Sequence, residues 1–275
     1  MAKQEMTIKI TVLFILAIIT ILTTMPFVWM ILTGFKTETE ALRIPMQFFP
    51  DRFMLDNFEA IFNRFHFLTF YRNTILVAIG VTIPQVIISS MAGYGFARID
   101  FPGKNLLFIS LMAALMIPLQ MILVPRFALM IAFGWIDTLT GVIVPIVPSV
   151  FATFFIRQSI MSIPRELDES AYLDGANHLT IYIFIIMPLI KSTLAAMTVL
   201  VMVFSWNNLL WPLIVLMSRD NFTLPVGLAG LSGQFGTPLN LLMAGATVST
   251  IPMILVFFVG QRYFLEGIAT TGSKT

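Results

Sequence analysis

Six long apolar runs constrain the fold of this chain more than any other feature. Each run is long enough to meet the roughly 20 apolar residues that a helix needs to cross the hydrocarbon core of a bilayer. Only helices and closed barrels satisfy their backbone polar groups there. The sequence therefore predicts an all-α polytopic membrane protein. We expect a single transmembrane domain over residues 1–275, with six transmembrane helices at about 10–33, 73–97, 106–133, 139–160, 188–217 and 241–262.

The composition supports the same class of protein. Hydrophobic residues make up 58% of the chain and charged residues only 11%, whereas soluble domains are about one quarter charged. The first apolar run is too long for the h-region of a signal peptide and lacks a small-x-small cleavage site, so we expect a span there. Prolines inside several runs predict kinks, at Pro26, Pro84, Pro118, Pro125, Pro145, Pro148 and Pro252. They do not exclude spans, because neighbouring helices can satisfy the carbonyls that proline frees.

The connections between the runs predict the orientation in the membrane. With the N-terminus inside, the inner segments carry more Lys and Arg residues than the outer ones. Cytoplasmic segments of membrane proteins show this excess. We therefore expect both termini in the cytoplasm. Closely spaced helix-breaking residues at 221–238 predict an exposed outer loop.

Several function classes lose support from what the sequence lacks. No acidic residue lies at the centre of a predicted span, which argues against a proton- or sodium-coupled carrier. The chain has no G-x-x-x-x-G-K-[ST] loop, so energy for uphill transport would have to come from another subunit. It has no cysteine, and its two histidines, His66 and His178, lie on opposite sides of the predicted membrane. We predict no metal site and no catalytic residues.

A polar, helix-forming insert at 161–187 separates the fourth and fifth runs. Pro164 is suited to the first position of a helix, and Asp174-Gly175 predicts the turn that ends it. Asn177 can cap a second short helix. We thus expect two short helices joined by a tight elbow. An apolar stripe along the first helix is predicted from Ile163, Leu167 and Ala171. The physics leaves two roles open, docking of a soluble partner or an interfacial helix resting on lipid headgroups.

The motifs in this insert resemble a known pattern. Glu169-Ser170-Ala171, Asp174-Gly175-Ala176 and Ile186-Met187-Pro188-Leu189 are similar to the EAA loop of ABC importer permeases, roughly E-A-A-x-x-D-G-A followed by an apolar stretch and P-L. Ser170 departs from the usual second Ala, and Ser192 replaces a frequent second proline.

The resemblance extends over nearly the whole chain. The carbohydrate branch of the family has segments similar to Tyr94-Gly95-Phe96-Ala97-Arg98 before Phe101-Pro102-Gly103-Lys104, Gly134-Trp135-Ile136-Asp137-Thr138, Trp206-Asn207-Asn208, Leu224-Pro225-Val226-Gly227-Leu228 and Gln261-Arg262-Tyr263-Phe264. The chain most resembles the MalG-like second permease subunit of maltose-type sugar importers.

The resemblance implies a type I (MetI-like) permease fold and a role in an ATP-driven importer. Such a subunit moves a sugar or oligosaccharide across the bacterial cytoplasmic membrane. Its loop, here 161–187, forms coupling helices that dock into a cleft of the ATPase. Residue by residue, the implied docking positions are Glu169, Ala171, Asp174, Gly175 and Ala176.

The resemblance also implies the partners. They are a homologous second permease subunit, two cytoplasmic ATPase subunits that bind ATP and Mg²⁺, and an external solute-binding protein, which the outer loop at 221–238 could reach. The lipid bilayer surrounds the helices. No cofactor is expected on this chain, and no nucleic acid partner, because the basic residues are few and scattered.

Polar residues inside the predicted spans are candidates for a solute path. A sugar needs amides, hydroxyls and aromatic faces, and interhelical hydrogen bonding is the alternative role for such residues. On one continuous helix, Trp206-Asn207-Asn208 and Trp211 would lie within one and a half turns. Arg126 could contact solute, but extension toward the membrane surface is the favoured solution. The candidates are Gln85, Gln120, Trp206, Asn207, Asn208 and Trp211, with hydroxyls at Ser89, Ser90, Thr247, Ser249 and Thr250.

Two alternative functions remain open at this point. One is an ABC permease for a phosphorylated polyol such as glycerol 3-phosphate. The other is a stand-alone carrier or channel, in which the insert would be only an interfacial helix.

Overall fold

A computed structural model describes residues 2–64, 66–231 and 238–272, with side chains described over 5–63, 66–231 and 238–261. Its described residues contain helices and no strand. The long helices and the shorter ones between them are α1 (Ala2–Gly34), α2 (Glu38–Ala41), α3 (Asp56–Arg64), α4 (Phe67–Arg98), α5 (Lys104–Ala114), α6 (Leu119–Ala132), α7 (Leu139–Ile143), α8 (Val150–Met161), α9 (Glu166–Leu173), α10 (His178–Ile181), α11 (Met187–Leu189), α12 (Lys191–Trp206), α13 (Leu210–Val215), α14 (Leu224–Ala229) and α15 (Leu239–Gly272). Other helical turns are the 3₁₀ segments Val144–Ile146 and Arg219–Asn221 and the π-helical segment Tyr182–Ile186.

Three of these helices are long and apolar enough to cross a membrane, namely α1, α4 and α15. Three further candidates are bent pairs. The bend is 99° between α5 and α6, 41° between Leu139–Ile146 and α8, and 78° between His178–Leu189 and α12. If each bent pair is one span, the described residues contain six, the number predicted from the apolar runs.

The third predicted span, 106–133, is not a continuous kinked helix. Four residues separate α5 from α6, and Pro118 stands at the N-cap of α6 in an extended conformation. Proline has no N–H to donate and disfavours helical geometry in the residue before it. Pro125, by contrast, lies inside α6. A proline at 118 therefore breaks the helix where only a kink was predicted.

The fifth predicted span, 188–217, also differs from the structure. Its main helix, α12, starts after a break at Ile190 and ends at Trp206, and α13 is a separate short helix. The side-chain amide of Asn207 donates to the carbonyl of Val203 at 2.8 Å. Asparagine side chains compete in this way with the backbone bonds of a helix. The helix therefore ends at the Asn207-Asn208 pair, although the apolar pattern predicted that it would continue to residue 217.

The segment predicted as an exposed outer loop, 221–238, is partly buried. It contains α14, in which Leu224 and Val226 are buried. The backbone N–H of Leu224 donates to the Thr74 hydroxyl at 2.7 Å. Asn73 donates to the carbonyls of Asp220 and Phe222 on the approach to this helix. The prediction is wrong for this first half, and residues 232–237 lie outside the described residues.

The chain divides into two compact units, of which the first comprises Met1–Phe67 and Gly227–Ile251 and the second Leu68–Val226 and Pro252–Thr275. A buried amide organises the first unit. Asn57 donates to the carbonyls of Gly34 and Lys36 at 2.9 and 2.8 Å and accepts a hydrogen bond from Asn240 at 2.9 Å. The Lys36 ammonium is buried 4.1 Å from the Trp29 ring centroid. Polar groups thus join the end of α1 to the starts of α3 and α15.

The second unit has an apolar core between α4, α8 and the segment that follows α10. Its fully buried members include Val81, Ile156 and Ile186. A glycine allows two of these helices to approach closely, because a Cβ at Gly93 would lie 3.1 Å from the backbone nitrogen of Arg157. The end of α4 is therefore held tightly against α8.

One turn of the second unit is closed by a single carboxylate, and we call it the Asp137 clasp. The Asp137 carboxylate accepts backbone N–H bonds from Met217 and Ser218 at 2.9 and 3.0 Å, and its carbonyl accepts from the Asn221 amide at 2.6 Å. Partial burial acts to raise the pKa of Asp137. The bonds from Ser218 and Met217 outweigh it and lower this pKa to about 2.

Candidate functional site

The polar insert forms an elbow of two short helices, as predicted. After α9 the chain turns at Gly175, whose φ is +84°. The N–H of Gly175 donates to the Tyr172 carbonyl at 3.0 Å, and that of Ala176 donates to the Ala171 carbonyl at 2.9 Å. These two bonds form the Schellman motif that commonly ends helices at glycine. Asn177 then caps α10, its side chain accepting from the Thr180 N–H at 2.9 Å. We use "elbow" below for residues 161–187.

Two details of the predicted elbow are wrong. The first helix begins at Glu166, so Pro164 precedes it instead of occupying its first turn. The apolar stripe is also displaced. Leu167 is 42% exposed, whereas Asp168 and Ala171 are buried. The reason is electrostatic, since Asp168 turns inward to an arginine on α4.

Three contacts join the elbow to one face of α4. The Nε atom of Arg98 lies 2.6 Å from Oδ2 of Asp168, and these side chains are only 6% and 9% exposed. The other two contacts are Tyr94 Oη to Nδ1 of His178 at 3.3 Å and Ser90 Oγ to Tyr182 Oη at 2.6 Å. The α4 residues are spaced by four, so they lie on one side of that helix. Both limbs of the elbow are therefore anchored along the last turns of α4.

Arginines from beyond α4 surround its C-terminal end. Arg157 donates from Nε to the Phe96 carbonyl at 3.2 Å, and Arg165 donates to the Ala97 carbonyl at 3.4 Å. Arg98 itself donates to the carbonyl of Ile163, in the turn before α9, at 2.8 Å. The last carbonyls of a helix have no partner within it and carry partial negative charge, which favours cations. The three arginines come from three different segments of the chain, namely α4, α8 and the turn before α9.

The opposite side of the elbow is bare. Of the predicted docking residues, Glu169, Asp174 and Gly175 are exposed. Ala171 faces inward and Ala176 is half-buried. A Cβ placed on Gly175 would meet nothing within 4 Å.

Two large apolar side chains share this bare surface. Leu173 is 90% exposed and Leu179 60% exposed. Sequence reasoning missed both, although they flank the Asp-Gly turn and are apolar residues in a polar insert. We define the elbow surface as Glu169, Leu173, Asp174, Gly175 and Leu179.

A separate cavity of about 480 Å³ lies within the second unit. Its polar lining is Gln85 and Ser149, and the remaining lining is Ile146, Pro148, Phe151, Met197, Leu200, Val201 and Phe204. Gln85 is 7% exposed, and its amide has no hydrogen-bond partner among the residues that the structure describes. Ser149 already caps α8 by accepting from the Ala152 N–H at 3.2 Å. A buried amide facing a cavity is suited to bind a polar ligand or water.

The structure does not bring the other predicted path residues to this cavity. Trp206 is buried, with its ring 5.6 Å from that of Tyr71. Trp211 is buried and donates to the Gly141 carbonyl at 3.0 Å. Asn208 lies in the break after α12, and Gln120 is exposed on α6. The idea that Trp206, Asn207 and Trp211 share one continuous helix is wrong, because α12 ends at Trp206.

The predicted hydroxyls mostly bond within the protein. Ser90 donates to the Ile87 carbonyl at 2.8 Å in addition to its contact with Tyr182. Those of Thr247, Ser249 and Thr250 donate to the carbonyls four residues earlier in α15. The hydroxyl of Ser89 differs, because it is buried and has no hydrogen-bond partner among the described residues. The bonds at the other four positions satisfy their hydroxyls without a solute.

Arg126 does not extend away from the protein as predicted. Its guanidinium donates to the carbonyl of Pro145 and lies 4.7 Å from the ring centroid of Trp211. Arginine stacks favourably on an indole face, especially where water is excluded. This side chain therefore has protein partners.

The described residues contain no cluster of three or more His, Asp or Glu side chains placed to hold a metal ion. His178 instead contacts Tyr172, whose hydroxyl lies 2.6 Å from Nδ1, and Tyr94. Its role in the structure is to join the elbow to α4.

Comparisons with known proteins agree with this architecture. Residues 85–269 match the family described as binding-protein-dependent transport system inner membrane component. The chain is 38% identical over 261 residues to the arabinooligosaccharides transport system permease protein AraQ of Halalkalibacterium halodurans, covering 94% of each chain. It is 30% identical over 260 residues to the sn-glycerol-3-phosphate transport system permease protein UgpE of Brucella abortus, covering 91% of this chain and 92% of the relative.

A solved structure is similar over almost the full length. It is a crystal structure of a bacterial ABC transporter involved in the import of the acidic polysaccharide alginate. The TM-score is 0.83 at 21% identity, with 95% of this chain and 98% of that chain covered. At that identity the similarity establishes the fold.

Proposed function

Because the chain belongs to the inner-membrane components of binding-protein-dependent transport systems, we propose that it is one permease subunit of an ATP-driven importer for a sugar or oligosaccharide. The chain supplies membrane helices and no catalytic group. ATP and Mg²⁺ would be bound, and ATP hydrolysed, by two separate cytoplasmic ATPase subunits. A homologous second permease and an external solute-binding protein would complete the transporter. In this proposal both termini lie in the cytoplasm.

The observation that carries the proposal is the elbow surface. Leu173 and Leu179 are 90% and 60% exposed, although the elbow is polar and its other side is anchored to α4. Covering exposed apolar groups with a partner is favourable, because it removes their surface from water. Glu169 and Asp174 beside them would repel anionic lipid headgroups. A soluble protein partner therefore fits this surface better than the membrane does, and the ATPase is the partner that the proposed function supplies.

The elbow would couple ATP hydrolysis to the solute path. Closure of the ATPases on ATP would move the docked elbow and open the path to the outside, and product release would reverse the movement. Most of α1 is exposed when the chain is considered alone. Lipid and the second permease would cover such a surface in the assembled transporter.

The cavity favours a neutral solute over a phosphorylated one. Its lining carries an amide and a hydroxyl and no charged side chain. A phosphate needs arginine, lysine or several backbone N–H donors, and Arg126 is occupied by Pro145 and Trp211. We therefore place Gln85 on the solute path, with Gln120, Asn207 and Asn208 as further candidates and Trp206 and Trp211 in structural roles. Glycerol 3-phosphate is the second candidate solute, because UgpE relatives are 30% identical.

Co-purification tests the docking assignment. The wild type and Gly175→Glu would each be expressed with a candidate second permease and a candidate ATPase, then purified in detergent. We expect the ATPase to co-purify with the wild type and to be lost from Gly175→Glu, because a bulky acid would project from the centre of the elbow surface. Gly175→Asn is the matched control, since asparagine tolerates a positive φ without adding charge. It should retain the ATPase.

Uptake by proteoliposomes tests the solute class. We expect ATP-dependent uptake of labelled arabinotriose by the complete transporter with its binding protein, and none by the Gly175→Glu complex. Uptake of labelled glycerol 3-phosphate in place of the sugar would favour the second candidate. If no ATPase associates even with the wild type, the importer assignment is wrong and a stand-alone carrier or channel must be considered.

A further inference from the structure

The contacts between the elbow and α4 have a consequence for how movement reaches the solute path. Ser90, Tyr94 and Arg98 lie one helical turn apart on α4, and each contacts a different part of the elbow. Their partners are Tyr182, His178 and Asp168 respectively, so the order of the partners along the chain is reversed. The last turns of α4 and both limbs of the elbow therefore share a continuous line of polar contacts.

The ion pair within this line is unusual for its burial. The side chains of Arg98 and Asp168 are 6% and 9% exposed. Removing two charges from water costs several kcal/mol per ion, and an apolar pair of similar size is often as stable. A contribution to folding stability is therefore a weak explanation for the presence of this buried ion pair. Its geometry offers another reason, because one guanidinium contacts both Asp168 on α9 and the Ile163 carbonyl before α9. Two contacts from a planar group fix direction as well as distance.

The same helix carries the amide that faces the cavity. Gln85 lies on α4, one and a half turns before Ser90. An element that is bonded to the elbow at one end and lines the cavity further along can transmit a displacement between them. Packed helices transmit displacement well, because protein interiors are dense and not readily compressed.

We propose that α4 and the elbow move as one body during transport, and that Arg98 and Asp168 are the positioning residues that join them. Through this joint, a displacement of the elbow by the ATPase changes the position of Gln85 at the cavity. The inference rests on the proposed function, since it needs an ATPase that acts on the elbow.

Spin-label distances in the assembled transporter test the joint directly. The chain has no cysteine, so Leu167→Cys on α9, which lies outside the elbow surface, and Ile88→Cys on α4 can be labelled specifically when the partner subunits are also cysteine-free. Both positions are exposed in this chain. We expect the same distance between the labels in the nucleotide-free complex and in the complex trapped with ATP and vanadate.

The comparison variant is Arg98→Met/Asp168→Leu, which removes both charges and leaves none buried and unpaired. In it the distance should change on trapping, and solute transported per ATP should fall about tenfold, within the usual range for coupled sites. Arg98→Lys keeps the charge opposite Asp168 but loses the planar group that makes two contacts, so its transport per ATP should lie between that of the wild type and that of the double variant. Arg157→Met is the matched control, because Arg157 bonds the end of α4 without touching α9. It should match the wild type in both measurements.

Two results would overturn the joint. One is a wild-type distance that changes on trapping, which would mean that α4 and the elbow move separately. The other is a double variant whose distance and transport per ATP both equal those of the wild type. Each of these results is obtained with the ATPase present in the complex. Absence of the ATPase from the wild-type complex would instead refute the proposed function.

Discussion

The elbow and the Asp137 clasp fix their segments by different means. The elbow is held by pairs of side chains distributed over three turns of α4, and its other side is left bare. The clasp is held by one carboxylate that accepts two backbone N–H groups, at Met217 and Ser218. A distributed set of contacts can survive the loss of an uncharged member, whereas the clasp depends on a single ionised group. The elbow therefore suits a segment that transmits force, and the clasp suits a fixed turn.

The largest effect should come from breaking the ion pair on one side only. Asp168→Asn leaves the buried Arg98 guanidinium without a counter-charge, which typically costs 3–5 kcal/mol, so we expect a loss of about 3 kcal/mol in the free energy of unfolding. Thermal unfolding of the detergent-solubilised protein measures it. Asp100→Asn is the matched control, since the Asp100 carboxylate pairs with Lys104 but is 79% exposed. An equal drop in both variants would show that the distributed contacts do not depend on burial.

An intermediate effect is expected at the clasp, and it should depend on pH. Asp137→Asn weakens the bonds to Met217 and Ser218 and should cost about 1 kcal/mol at neutral pH. The folded-state pKa of Asp137, about 2, lies below its ordinary value of 3.8. The contribution of the carboxylate is therefore complete above about pH 4 and is lost as the pH falls toward 2.

The measurement is the difference in thermal stability between wild type and Asp137→Asn from pH 6 down to about pH 2. The difference should shrink over the lower part of this range. A difference that stays constant with pH would mean that the clasp does not depend on the charge of Asp137.

The smallest effect should follow removal of one uncharged member of the distributed set. Tyr182→Phe deletes the hydroxyl that contacts Ser90 at 2.6 Å. Ser90 still donates to the Ile87 carbonyl, so no buried donor is left unpaired. The cost should be about 1 kcal/mol or less, with transport per ATP close to that of the wild type. Tyr172→Phe, on the exposed side of His178, serves as the control. A loss from Tyr182→Phe as large as that from Asp168→Asn would refute the idea of shared anchoring.

Local sequence chemistry predicted the elbow well. Gly175 and Asn177 act through bonds to residues within five positions, so their turn and cap could be inferred from the sequence alone. The apolar runs likewise predicted an all-α membrane protein, and the all-α permease fold is confirmed.

Contacts between distant residues explain what the sequence did not predict. The burial of Asp168 depends on Arg98, which lies on another helix. Trp211 was predicted on the solute path because tryptophan can stack on sugars, yet its indole bonds the Gly141 carbonyl. Helical periodicity also gave no sign of the break after Trp206, which depends on how Asn207 folds back on its own helix.

The π-helical segment Tyr182–Ile186 has a consequence for how the elbow should be read. A π turn contains about one residue more than an α turn, and each residue of an α-helix advances by about 100°. Residues after this segment are thus rotated by close to a third of a circle relative to an uninterrupted helical wheel. Tyr182 turns inward to Ser90 at the start of the segment. The extra residue then changes which side chains of α11 face inward. A wheel drawn from His178 through Leu189 would place inward and outward residues on the wrong sides.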